Sequence, residues 1–454
     1  MNTDAINGQG QCAAGAADAA RGLVRFIGEC PSMFHTAQAL RARLDAAGFA
    51  YLPEAQEWRI APGGRYYTVR NNSSVIAFKV PEGMTADALR FQLAAAHSDS
   101  PALKLKNTSE LEGPEGYLRL SVEVYGGAID YTWFDRPLSI AGRVMVRSGN
   151  RVESRLVDLS RDVALIPSLA IHLDRSVNEK FAPNRQTDLA ALLSAGELAR
   201  GAVDELVAEC AGIAPDQILA RDLFLYNRQA PRVWGAADEF VSAPKLDDLA
   251  CAYAALSAFL AAENPASVTV FACFDNEEVG SNTKQGAMST FLRDALARLC
   301  GALGGTEAHL CRALSRSLLV SCDNAHAVHP NHPEKHDEAN RARLNAGIVV
   351  KEAANQHYCT DAFSRAVFQA VCDDAGVPYQ AFANRSDMAG GSTLGNLSNI
   401  QASMHAVDVG IPQLAMHSAF ETCGARDIEL AIRALKAFFA ADIRIEEADA
   451  ATIG

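Results

Sequence analysis

A chain of 454 residues, 49% hydrophobic and 21% charged, is a globular protein too long for one ordinary core, so two domains are expected. The net charge of −13 excludes the basic face that nucleic-acid phosphates or anionic lipid headgroups demand. No run approaches the roughly 20 apolar residues that cross a bilayer, and the 11 scattered cysteines contain no C-x-x-C pair, against a disulfide framework or a zinc finger.

The N-terminus, MNTDAINGQGQCAAGAADAA, lacks the basic start and continuous apolar stretch of a secretory signal, and a cytoplasmic protein is expected. Residues 15–50 read as helical, with Ala37, Leu40, Leu44 and Ala47 at three- and four-residue spacing. Strand-like runs follow at Ser74–Val80 and at Leu89–Ala96, the latter leading into AAHSDSP. From about Tyr117 to Val157, alternating segments such as LRLSVEVY and SIAGRVMV, separated by turn residues, read as antiparallel β. A mixed region runs on to about Trp234. The second half alternates helical patterns, such as Asp248–Ala261, with the apolar runs SVTVFACF, SLLVSC, AGIVV, PYQAFA and PQLAM. Runs that apolar suit strands covered on both faces. The expected architecture is α/β. Residues 1–104 and 239–454 are expected to form one domain, a mostly parallel sheet with helices on both faces, interrupted by a β-rich insertion at 105–238.

Acidic residues or histidines stand directly after four of the strand-like runs: His97 and Asp99; Asp275, Glu277 and Glu278; Asp323 and His326; and His417. A fifth place, SAPKLDDLACAYAAL, puts Asp247 and Asp248 at a helix start. In open α/β sheets ligands bind beyond the carboxyl ends of the strands, so parallel neighbours would bring these side chains to one rim. Singly, each has an ordinary explanation. A strand-end histidine is more often a hydrogen-bonded rim residue, a Glu-Glu pair a solvated face, and Asp247 a helix N-cap. Together they are different, because carboxylates after buried strands are costly unless something pairs them.

Two histidines and several carboxylates without a thiolate suit zinc, cobalt or manganese at a catalytic site. Two divalent ions about 3.5–4 Å apart need a shared carboxylate, plus one nitrogen and one carboxylate each. The available set divides that way and leaves one carboxylate to take a proton. Of the adjacent Glu277 and Glu278, one would ligate and one would act as base. In HAVHPNHPEKH, Pro330 and Pro333 break any helix that would align the histidines, so only His326 is retained as functional. Serine-hydrolase elbows, H-E-x-x-H, P-loops and G-x-G-x-x-G are absent.

The strings AAHSDSP, GGAIDYTWFDRPLSIAGRV, IPSLAIHLDRSVNEKFAPN, SAPKLDDL, FDNEEVGS, DNAHAVHPNHPEKH and PQLAMHS resemble the aspartyl aminopeptidases nearly end to end. These are dinuclear zinc exopeptidases that remove N-terminal acidic residues. The resemblance implies two divalent ions, with Zn2+ foremost and Co2+ or Mn2+ compatible. One would be held by His97, Asp247 and Asp323, the other by Asp247, Glu278 and His417, with Asp247 bridging. It implies Glu277 as general base and Asp99 as the carboxylate orienting His97. It places His326, Lys351 and Tyr358 on the substrate; because an unpaired buried carboxylate is costly, an acidic substrate side chain also needs a cation, for which Lys351 is the first candidate and Arg385 the second. It makes His172 a residue that reaches a neighbouring subunit's active site. It also implies dimers assembled into a dodecamer through the insertion. Two features depart from the pattern: Asp248 follows the bridging aspartate where asparagine is more usual, and Met388-Ala389-Gly390 vary a loop near the substrate. The competing readings are an N-acyl-amino-acid deacylase on the same metal platform and a non-catalytic, metal-stabilised assembly protein.

Overall fold

The structure, a computed structural model, describes residues 3–454, with side chains from residue 15 onward. The helical stretch at the start is two helices, α1 (Thr3–Gly28) and α2 (Met33–Ala46). Pro31 separates them, because it disfavours the helical conformation at Cys30 and supplies no N–H of its own. Seven more follow: α3 (Ala202–Ala211), α4 (Leu246–Ala261), α5 (Phe291–Ala302), α6 (Glu307–Ser315), α7 (Ala362–Asp374), α8 (Leu394–Ser398) and α9 (Ala425–Ala440).

The main sheet has nine strands in the order Ala50–Tyr51, Arg65–Arg70, Ser74–Lys79, Val268–Phe274, Phe91–His97, Leu318–Cys322, His405–Gly410, Ile348–Glu352 and Tyr379–Ala383. Its four middle strands, 268–274, 91–97, 318–322 and 405–410, are parallel. The sheet is mostly but not purely parallel, with five of its eight strand pairings parallel and three antiparallel. Ser74–Lys79 runs antiparallel to both its neighbours, and Ile348–Glu352 runs antiparallel to His405–Gly410. The first reversal follows from Asn71 and Asn72, both at positive φ, which turn the chain too tightly for a helical crossover. The strand His405–Gly410 is not among the apolar runs of the sequence because Asp408 interrupts it. That carboxylate is buried and satisfied by the Cys359 N–H and the Thr393 hydroxyl.

Alternation along Phe91–His97 shows how the sheet is covered. Phe91, Leu93 and Ala95 face one core with α5, α6 and α8; Ala94 and Ala96 face the other with α1, α2, α4, α7 and α9. A second sheet is wholly antiparallel. Its six strands, in order Arg151–Asp158, Leu138–Ser148, Ile218–Asn227, Ala102–Glu112, Leu118–Tyr125 and Ala191–Ser194, share a separate core with α3. A third sheet has five short strands: Arg232–Trp234, Phe240–Ala243, Glu421–Gly424, Pro412–Leu414 and Ala325–His326. The PQLAM run therefore lies here and not beside the main parallel strands. The chain leaves the main sheet at Ile411, and Pro412, which has no N–H for a ladder, begins the small one. Among the described residues no helix is long and apolar enough to cross a membrane.

Candidate metal centre

His97 is the last residue of its strand, Asp275–Glu278 follow Val268–Phe274, and Asp323 follows Leu318–Cys322. Three adjacent parallel strands thus end on one rim, as the sequence pattern requires. Asp247 and His417 arrive from the small sheet instead: Asp247 opens α4 after Phe240–Ala243, and His417 lies in the turn between Pro412–Leu414 and Glu421–Gly424. Local chemistry fixes each approach. A Cβ on Gly410 would lie 2.0 Å from the Asp323 carbonyl oxygen, so only glycine lets that backbone pass. Asn276, at φ 66°, turns the chain after its strand, and Asp99 then accepts the Glu277 N–H at 3.1 Å and the Glu278 N–H at 3.2 Å. The Tyr125 hydroxyl donates to the same Asp99 carboxylate at 2.7 Å.

Two imidazoles converge on one carboxylate. His97 Nδ1 lies 3.0 Å from the Asp99 carbonyl oxygen, and its Nε2 lies 3.4 Å from Asp247 Oδ1 and 4.0 Å from Asp323 Oδ1. His417 Nδ1 lies 3.0 Å from the Gly127 carbonyl oxygen, and its Nε2 lies 3.3 Å from both Asp247 Oδ2 and Glu278 Oε2. With each Nδ1 donating to a carbonyl, each Nε2 turns a lone pair toward carboxylate oxygens. Acceptors therefore face acceptors. Buried Asp247 Oδ1 and Glu278 Oε1 have no hydrogen-bond partner. The ligand atoms of His97, Asp247, Asp248 and Asp323 lie within 4.8 Å of one another, as do those of Asp247, Glu278 and His417. Orphaned oxygens and facing lone pairs fit divalent cations, and the donor set is that of zinc in a catalytic setting.

Residues 26–439 match the family described as Aminopeptidase I zinc metalloprotease (M18). The chain belongs to the M18 family. It is 40% identical over 422 residues to "Probable M18 family aminopeptidase 2" of Clostridium novyi, covering 92% of this chain and 97% of that one. It is 43% identical over 425 residues to the Pseudomonas aeruginosa protein of the same description, again covering 92% and 97%. Among solved structures it resembles the chain in the Ape4 and Nbr1 complex, with TM-score 0.90 and 37% identity over 93% of this chain and 86% of that one. It also resembles the S. cerevisiae mApe1 dodecamer, with TM-score 0.82 and 28% identity over 93% and 96%. The protein is an M18 metallo-aminopeptidase, a hydrolase of a zinc metalloprotease family that includes the aspartyl aminopeptidases.

The electrostatics of this M18 centre follow from its crowding. Burial pushes the Glu277 carboxyl up to about 8, with His97 opposing and Asp323, Asp99 and Asp247 adding to the rise. Among the described residues none hydrogen-bonds the Glu277 carboxylate, which leaves it free beside the ligand cluster. Burial likewise lifts Asp323 to about 6 despite Lys351. Asp247 is held well below the usual range, burial being outweighed by the neighbouring His417 and His97 rings. Burial would lower His417, but Asp247 and Glu278 raise it to about 10. Without a cation between them the carboxylates would draw a proton onto each Nε2; a bound metal would supply that positive charge and leave the Nε2 lone pairs free to ligate.

The remaining expected residues fall into three groups. Asp99 orients His97 through its carbonyl oxygen; its carboxylate, 3.5 Å from Nδ1, is occupied with the Glu277–Glu278 turn. Lys351 and Tyr358 are buried together, the ammonium 5.0 Å over the phenol ring. Lys351 donates to the Asp323 carbonyl at 2.8 Å and the Asn324 carbonyl at 3.3 Å, which leaves one of its three N–H groups. His326 lies near Phe382 at the same end, its ring pushed down to about 4 by burial and by Lys351. Arg385 is instead paired with Asp387 on an exposed loop and donates to the Glu334 carbonyl. His172 sits in an exposed turn between exposed Ile171 and Leu173, outside the ligand cluster of its own chain.

Asp248 stands closer than its sequence position suggested. It accepts the His97 N–H at 3.1 Å and belongs to the same cluster. Glu421, not among the residues expected from the sequence, accepts the His417 N–H at 2.7 Å and the Asp247 N–H at 3.0 Å. Gly127 and Tyr125 were not among them either. The only trace of Glu421 in the sequence is an apolar run resuming around a lone acid in HSAFETCG.

Proposed function

We propose that the protein removes N-terminal aspartate or glutamate from peptides with a two-metal centre. One ion would be held by His97, Asp247 and Asp323 and the other by Asp247, Glu278 and His417. The observation that carries this reading is the pair of imidazole Nε2 atoms facing the two oxygens of Asp247, at 3.4 and 3.3 Å. When bound, a pair of divalent ions supplies Lewis-acid activation of water and of the scissile carbonyl. Glu277 takes a proton from the attacking water onto its free carboxylate and returns it to the leaving nitrogen. Asp99 holds the Glu277–Glu278 turn and the His97 ring in register for that transfer. The buried Lys351 ammonium, with His326 and Tyr358 beside it, offers its remaining N–H to the substrate's acidic side chain, whose charge would otherwise be buried unpaired.

His172, exposed in this chain, is assigned to a neighbouring subunit's site, and the six-stranded part serves as the dimerisation unit. The mApe1 relative is a dodecamer, and we assign the same assembly to this chain. The described cysteines are all free, which supports a reducing, cytoplasmic setting.

The test is hydrolysis of Asp- and Leu-anilides by purified protein before and after chelation, with zinc restored afterwards. Zinc-dependent turnover favouring Asp-anilide supports the reading. Turnover only of an N-acetylated substrate would make the protein a deacylase. Lys351→Ala is expected to cut Asp-anilide turnover by about 30-fold, the value of one buried charge partner, and to affect Leu-anilide less. An equal loss on both substrates removes Lys351 from the pocket.

A further inference from the structure

Three buried polar side chains, Glu421 and Gln413 in the small sheet and Asn324 just before its edge strand, link the segments that carry the proposed metal ligands. Glu421 Oε1 accepts the His417 N–H at 2.7 Å and Gln413 Nε2 at 3.3 Å, while Oε2 accepts the Asp247 N–H at 3.0 Å. Gln413 Oε1 in turn accepts from Asn324 Nδ2 at 2.9 Å. The same Asn324 amide donates at 2.7 Å to the carbonyl of Leu246, the residue before Asp247. Its Oδ1 takes the Cys251 thiol at 3.0 Å, one turn further along α4. Asn324 itself follows Asp323, and Lys351 ties the carbonyls of both.

The three segments that carry Asp247, Asp323 and His417 are therefore joined through one chain of side chains, Glu421–Gln413–Asn324. All three are at most 3% exposed. Any buried polar group must find partners, but core satisfaction alone does not direct every partner to within one turn of a ligand. Backbone pairing supports the placement. Gln413 lies between the His326 strand and the Cys423 strand, paired on both sides.

We propose that Gln413 and Asn324, with Glu421, are positioning residues that set the spacing of Asp247 against Asp323 and His417 and thereby the retention of both ions. This rests on the ligand set given above. None of the three touches substrate or the reacting atoms; they act through the ligands.

Gln413→Met keeps the side-chain volume and removes both of its hydrogen bonds. It leaves Glu421 and Asn324 with their backbone partners, so the fold is expected to survive. Asn324→Asp keeps the acceptor for Cys251 and removes the amide donor. The experiment titrates zinc into metal-free wild type and both variants against a chromophoric chelator, and follows their unfolding without metal.

The expected result is two bound zinc ions in the wild type and an affinity about 10–100-fold weaker in each variant. Metal-free unfolding midpoints should stay near wild type, and activity lost on dilution should return on adding zinc. Variant affinities within about threefold of wild type would overturn the proposal while leaving the ligand set standing. Metal-free stability falling as far as metal affinity would also overturn it, since the residues would then hold the fold and not the ligands. A wild type that binds no pair of ions would sink the ligand set and this inference together.

Discussion

The two halves of the candidate centre are built differently. Around His97 the side chains are sealed, with His97 1% and Asp323 10% exposed, and the imidazole is oriented by Asp99, two residues on in the same chain segment. Around His417 the ring is 30% exposed and leans on the Gly127 carbonyl, in the loop that follows a strand of the six-stranded sheet. The same loop region clamps the His417 turn twice more, through the Ile129 N–H to the His417 carbonyl at 3.0 Å and the Ala419 N–H to Thr132 Oγ1 at 2.9 Å. One half rests on a single core, the other on the fit between two sheets. Rigidity and solvent access are thus unequally shared, and the ion nearer His417 should exchange first.

The largest effect belongs to the residue common to both halves. Asp247→Ala should remove both ions and lower turnover beyond the roughly 10^4-fold upper range for loss of a general base. Metal analysis checks it, and retention of two ions would deny Asp247 the bridge. Next comes Glu277→Gln, for which both ions stay and kcat falls about 10^2–10^4-fold. Near-normal turnover would remove it as the base.

Gly127→Ala tests the asymmetry itself. Its Cβ would stand 3.2 Å from His417 Nδ1 and push that ring. One zinc equivalent should weaken by about tenfold, with the other unchanged, in a stepwise zinc titration. Equal weakening of both would break the comparison.

The smallest effect separates the centre from its frame. His35, at the start of α2 where Met33 and Phe34 pack on Phe224, is pushed down to about 4 by burial, with Asp158 opposing and Lys245 adding. Because its folded pKa is depressed, the unfolded chain binds more protons, so stability falls as pH drops from about 6.5 through about 4. His35→Gln should flatten that limb of the unfolding free energy, measured by urea titration at each pH, by ~1–2 kcal/mol and leave the acid sensitivity of the buried carboxylates. An unchanged slope would place the acid sensitivity elsewhere.

The strand ends that carry His97, Glu277, Glu278 and Asp323 were legible in the sequence because each follows an apolar run that only a buried strand explains. The mixed character of the main sheet was not, since strand direction is set by turns such as Asn71–Asn72 and not by the strands themselves. Nor was the origin of His417. PQLAM has the composition of a core strand, yet it pairs in a different sheet, and hydropathy cannot say which sheet a strand joins. Glu421 and Gln413 were illegible for a related reason. A buried acid or amide reads as a surface residue until its partners, 174 and 89 positions away, are in view.

The order of these segments along the chain has a consequence for biosynthesis. The proposed ligands begin at His97, but the last of them, with the Glu421 that seats it, emerges only after nine-tenths of the protein has been made. On the proposed ligand set, the centre is therefore completed late in synthesis, and until the segment around His417 has left the ribosome the nascent chain holds only part of its cage.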